Sequence, residues 1–90
     1  MIVLSYDISD NKLRSRFSKY ISKFGHRIQY SVFEIDNGDR VLQNIIEKID
    51  KKFGEDFGES DSVVIFNVKH DKDIIKYGFM KHDDKDIIIV

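Results

Sequence analysis

The sequence predicts an α+β fold, an antiparallel sheet with two helices packed on one of its faces. Three observations predict it. Two stretches repeat apolar residues at helical spacing: Leu13, Phe17, Tyr20, Ile21 and Phe24, then Leu42, Ile45, Ile46, Ile49 and Phe53. Short apolar, β-rich runs stand before, between and after them. The chain of 90 residues, with 41% hydrophobic and 34% charged residues, has the composition of one globular domain spanning residues 1–90.

The first element is a strand over residues 2–8. Ile2, Leu4, Tyr6 and Ile8 share one parity and Val3, Ser5 and Asp7 the other. Ser9-Asp10-Asn11 offers short polar side chains that cap a helix start. The first amphipathic helix follows, ended by Gly25. Residues 26–36 are β-rich and form either one bent strand or a tight hairpin turning near Tyr30-Ser31. Asn37-Gly38-Asp39 punctuates the chain before the second helix, which carries Leu42 to Phe53. Gly54 to Ser60 reads as a polar loop, Ser62 to Val68 as a strongly apolar strand, and residues 69–74 as a charged loop. Ile75–Met80 reads as a further strand, Lys81–Asp86 as a turn and Ile87–Val90 as a short final strand.

This order, βαββαβ with additional C-terminal strands, is the ferredoxin-like plan. Its second sheet face stays bare unless something covers it. The first strand is apolar on both parities, and the Ile-Ile-Ile-Val at 87–90 is costly to leave in water. A sheet-to-sheet homodimer, with the strand at 87–90 paired to the second protomer, answers both.

Composition excludes several classes. There is no cysteine, so disulfides and thiolate metal sites are out, and no proline, so PxxP ligands are out. The apolar runs fall far short of the roughly 20 residues that span a bilayer. The N-terminus lacks the basic start and small-residue cleavage site of a signal peptide, so a cytoplasmic protein with no membrane partner is expected. No glycine-rich phosphate loop, nucleophile elbow or HExxH occurs. His26, His70 and His82 are isolated along the chain.

The net charge of −1 hides a local excess. Residues 11–33 hold Lys12, Arg14, Arg16, Lys19, Lys23 and Arg27 and no acid. At about 100° per residue, Lys12, Arg16, Lys19 and Lys23 fall within about 60° of one another, along an edge of the apolar face. The stripe runs about 16 Å at about 1.5 Å per residue, enough for several successive phosphates. Arg14 and Arg27 add bidentate phosphate donors. The alternative is a solvated helix face. Tyr6, Tyr30 and Phe33 flank these groups as stacking platforms for bases or as core residues. Gln29 and Ser31 offer hydrogen bonds to phosphate.

Asp7 ends the first strand. If Ile2, Leu4 and Tyr6 pack under the helices, Asp7 points at the bare face. One carboxylate makes a poor Mg²⁺ site, and a two-fold axis between sheets brings a second Asp7 to it. Mg²⁺, or Mn²⁺ in its place, would be shared between the two protomers. The structural alternative is that Asp7 caps the helix or pairs with Arg14.

Tyr6-Asp7-Ile8-Ser9-Asp10 with Leu13-Arg14-Ser15-Arg16, then Arg27-Ile28-Gln29-Tyr30-Ser31-Val32-Phe33-Glu34, resembles the CRISPR-associated protein 2 family. The late Asp61-Ser62-Val63 also fits, and the likeness covers essentially the whole chain. The resemblance implies a ferredoxin-like homodimer with exchanged terminal strands, acting in CRISPR adaptation. In that role the dimer bridges the larger CRISPR integrase subunit and binds duplex DNA. It also implies metal-dependent endonuclease activity on single-stranded RNA or duplex DNA, with Asp7 as the metal ligand. Tyr6, Arg14, Arg16, Arg27 and Phe33 match the family's other motif positions. Three further readings stand beside the nuclease: a non-catalytic DNA-binding scaffold, a related toxin-type ribonuclease, and a small-molecule-sensing module. The last leaves the unbroken basic stripe unexplained.

Overall fold

The computed structural model describes residues 1–36 and 38–80. It has β1 (Ile2–Asp7), α1 (Asn11–Ile21), β2 (Gly25–Gln29), β3 (Val32–Ile35), α2 (Asp39–Lys51) and β4 (Ser62–Asn67). Single 3₁₀ turns lie at Phe53–Asp56, between α2 and β4, and at Asp71–Asp73, after β4. The strands form one antiparallel sheet in the order β2-β3-β1-β4, the ferredoxin-like arrangement. Consecutive strands β2 and β3 form the tight hairpin that turns at Tyr30-Ser31.

The parity of β1 decides which face carries the core. Ile2, Leu4 and Tyr6 are buried with Ile8, Phe33 and Ile35 beneath Leu13, Phe17, Ile21 and Ile45. Phe17 sits at the centre, its ring edge-on to Tyr6 at 5.2 Å and to Phe53 at 5.1 Å. Phe53 lies just past α2, in the first 3₁₀ turn, yet its ring is buried. The opposite face carries Val3, Ser5 and Asp7 of β1, which pair across with Phe66, Val64 and Ser62 of β4. Val64 and Phe66 are about half exposed. Among the described residues no helix covers this face, and Lys76 reaches only its Glu34 on β3.

Local chemistry sets the element ends. Asp10 caps α1 by accepting the Leu13 amide at 2.8 Å. The helix ends at Ile21 with Ser22 as its cap, so Gly25 is not the helix terminator. Gly25 instead opens β2, where a Cβ would lie 2.0 Å from the Glu34 carbonyl oxygen. Close approach of two strand backbones requires glycine there.

Ile75–Met80 alternates like a strand but forms none. A strand needs a hydrogen-bonding neighbour, and among the described residues none pairs with this segment. Gly78 also breaks it with a φ of +82°. Ile75, Tyr77 and Phe79 are each about 70% exposed or more, whereas Lys76 reaches Glu34 of β3 at 2.8 Å. The predicted turn at 81–86 and strand at 87–90 lie outside the described residues. Among those described, no helix is long and apolar enough to cross a membrane.

Candidate nucleic-acid and metal site

The C-terminal end of β1 gathers the sequence-predicted residues onto two sides of one strand. Asp7 is exposed on the open face, with Ser62 as its cross-strand neighbour. Neither structural alternative for Asp7 holds, because the helix cap is Asp10 and Arg14 bonds elsewhere. Among the described residues no hydrogen bond or ion pair holds the Asp7 carboxylate. Nor do three or more acidic, histidine or cysteine side chains cluster as a metal site.

On the helix side of the same strand end, Tyr6, Arg14, Ser15, Ser18, Arg27 and Tyr30 line a pocket of about 190 Å³. Arg14 donates to the carbonyls of Ile8 at 3.0 Å and Ser9 at 3.4 Å and to the Asn11 side chain. It thereby pins the β1–α1 connection and keeps part of its five-donor fork for the pocket. Arg27 lies over the Phe33 ring, 5.1 Å from its centroid, and its Nε is buried without a hydrogen-bond partner among the described residues. A buried guanidinium nitrogen left unpaired is costly. Two arginines beside serine hydroxyls are chemically suited to a phosphate. Sequence spacing alone did not show that Arg14 and Arg27 face one cavity.

Phe33 has no exposed surface and Tyr6 only 5%. Of the two roles open to them, core residue and stacking platform, both take the first: their strand parity places them under α1. Phe33 serves Arg27 from below, and the Tyr6 hydroxyl donates to the Tyr30 carbonyl at 3.4 Å. Tyr30, at the hairpin turn, is 76% exposed. Ser31 is half-buried beside it, and its carbonyl accepts the Tyr6 amide at 3.0 Å.

Lys12, Arg16, Lys19 and Lys23 are all exposed along one edge of α1 and the turn after it. The stripe has no acid in its own segment, but Asp56 of the first 3₁₀ turn reaches Arg16 at 3.5 Å. Both partners are more than half exposed, so the pair is weak. The sequence could not reveal a partner 40 residues away.

A residue not singled out for any role, Asp61, organises the loops at this end. Its carboxylate accepts the Ser9 amide at 2.9 Å and hydroxyl at 3.0 Å, and the Gly58 amide at 2.8 Å. These bonds stitch the residues just after Asp7 to those just before Ser62. The Gly58 and Ser9 amides hold the Asp61 carboxyl below the ordinary 3.8. A lowered pKa contributes stability above the unfolded value that is lost as pH falls through the folded one. Wild type should therefore lose melting temperature below about pH 4 faster than Asp61→Asn. Parallel melting curves across that range would remove Asp61 from this role.

Comparison with known proteins agrees with this layout. The pattern of the CRISPR associated protein Cas2 family matches residues 1–74. The CRISPR-associated endoribonuclease Cas2 of Mycobacterium tuberculosis is 31% identical over 77 residues, 86% of this chain and 65% of that protein. The chain thus spans about two thirds of that relative's length. The CRISPR-associated endoribonuclease Cas2 of Thermus thermophilus is 48% identical over 33 residues, 37% of this chain and 35% of that protein. Among solved structures, the hypothetical protein TT1823 from Thermus thermophilus superposes with a TM-score of 0.64 at 25% identity, covering 77% of this chain and 80% of that one. Streptococcus pyogenes Cas2 gives 0.68 at 22% identity, covering 87% and 100%, and shares the fold. With its sheet order, its helix-capping Asp10 and its residues 1–74 all accounted for, the chain belongs to the CRISPR-associated Cas2 family.

Proposed function

We propose that the protein is a metal-dependent endoribonuclease that acts as a homodimer in CRISPR adaptation. The observation that carries this reading is the pairing of Asp7, exposed on the open face with no partner among the described residues, with an arginine pocket at the same strand end. Relatives named endoribonucleases support it. The half-exposed Val64 and Phe66 beside Val3 and Val32 supply the apolar surface for a second copy. That copy would set its own Asp7 opposite this one.

The residues fit Mg²⁺ or Mn²⁺ only as half a site. Asp7 offers one hard carboxylate, and a second comes from the other protomer, completing the one or two that Mg²⁺ takes beside its waters. When bound, the ion supplies a water of lowered pKa and polarises a phosphate oxygen. Arg14 and Arg27 bind and orient a phosphate of the strand, Ser31 donates to it from the hairpin turn, and Lys12, Arg16, Lys19 and Lys23 track the backbone. The same stripe suits duplex DNA held as a scaffold against the larger integrase subunit.

The test is single-stranded RNA incubated with Mg²⁺ or with EDTA. Cutting in Mg²⁺ alone is the expected result, and no cutting in either overturns the nuclease reading. The stripe is tested separately by duplex binding. Each of Lys12, Arg16, Lys19 and Lys23 changed to glutamine should lower the salt slope by about 0.9. Unchanged slopes for all four would refute the stripe.

A further inference from the structure

A second cleft lies away from Asp7, between the C-terminal end of α1 and α2. It holds about 530 Å³, within the range of small-ligand sites, and is lined by Tyr20, Phe24, Asn44, Glu47, Lys48, Lys51 and Lys52. Tyr20 and Phe24 form its aromatic wall, their rings 5.1 Å apart and edge-on. Tyr20 is fixed in place: it packs on Phe53 at 5.6 Å, and its hydroxyl donates to the Asn44 carbonyl at 3.4 Å. Lys23 and Lys48, from the two helical sides, stand 5.9 and 5.6 Å from its ring centroid.

Lys23 is also the last residue of the α1 stripe. The phosphate track on α1 therefore leads into a recess with a ring on its wall and lysines on its far side. We propose that this cleft binds an unpaired nucleotide of a single strand, its base against Tyr20 and Phe24 and its phosphate among Lys48, Lys51 and Lys52. The lining matches all three parts of a nucleotide. Aromatic faces take the base plane, ammonium groups take the phosphate, and Glu47 and Asn44 offer acceptors to the amino groups of a base edge. The lysines now over Tyr20 ride on flexible stems and swing aside to the phosphate. An acidic peptide would satisfy the lysines but set its carboxylates against Glu47. A duplex keeps its base faces stacked inside and cannot use the rings.

The inference builds on the stripe but not on cleavage, so it is tested in EDTA, where only binding is read. The probe is a fluorescent 12-residue single-stranded RNA, followed by anisotropy against salt, beside a duplex and an abasic strand of equal length. Lys51→Gln/Lys52→Gln should lower the single-strand salt slope by about 1.4, at roughly 0.7 per contact, and leave the duplex slope unchanged. The abasic strand should bind wild type about tenfold more weakly than the intact strand. An unchanged single-strand slope in a variant with wild-type circular dichroism overturns the proposal. Equal binding of abasic and intact strands overturns the stacking part. Because no cleavage occurs in EDTA, a failure of the nuclease reading leaves this result distinct.

Discussion

Asp7→Ala is expected to lower Mg²⁺-dependent cleavage of single-stranded RNA by at least about 100-fold, the upper range for groups that only support a metal ligand. The same variant should keep its folding stability to within about 0.5 kcal/mol, as exposed positions without partners do. The two expectations follow from one observation. Asp7 is exposed, caps no helix and pairs with no arginine, so its removal leaves no buried group unsatisfied. A structural aspartate would show the reverse pattern, with stability lost and any activity falling only with the folded fraction. Cleavage is measured beside thermal unfolding and a sedimentation check of the dimer. Retained cutting by an intact Asp7→Ala dimer would move the chemistry elsewhere.

The largest effect on stability is expected at Phe17. Its side chain has no exposed surface and meets Tyr6, Phe53 and Phe57 at 5.2, 5.1 and 6.3 Å. Truncating a buried phenylalanine to alanine costs about 3–5 kcal/mol, through lost transfer energy and the cavity left behind. A domain of this size holds only about 5–13 kcal/mol in total. Phe17→Ala should thus lower the melting temperature by about 15 °C or more. Because Tyr6 leans on Phe17, cleavage should fall with the folded fraction and recover when the temperature is lowered. A loss below about 1 kcal/mol would mean that the core repacks around the gap, and the central place given to Phe17 would be wrong.

The fold was legible wherever apolar spacing is a local property. The period-two alternation of Ile2, Leu4 and Tyr6 and the helical spacing of Leu13, Phe17 and Ile21 are each set by which face must be buried. Strand existence is not local, and Ile75–Met80 shows it: the alternation is present, but a described neighbour to bond it is not. The site was legible to the same degree. Asp7 on the open face follows from β1 parity. The core place of Phe33 follows from the same parity, which puts its ring on the helix side, where it carries Arg27. What stayed hidden depends on the approach of distant segments: the Arg14–Arg27 pocket, the Arg16–Asp56 pair and the Asp61 bonds to Ser9. The α2 lysines were hidden for another reason. Acids punctuate their stretch of sequence, and only the packing of α2 on α1 turns Lys48, Lys51 and Lys52 toward Tyr20.

The central claim is that two copies of Asp7 complete one metal site, and ion stoichiometry tests it without relying on cleavage. Mn²⁺ titrated into the protein and followed by electron paramagnetic resonance should bind at one ion per two chains, and this binding should vanish in Asp7→Ala. One ion per chain, or binding that survives the substitution, would contradict the shared-aspartate site.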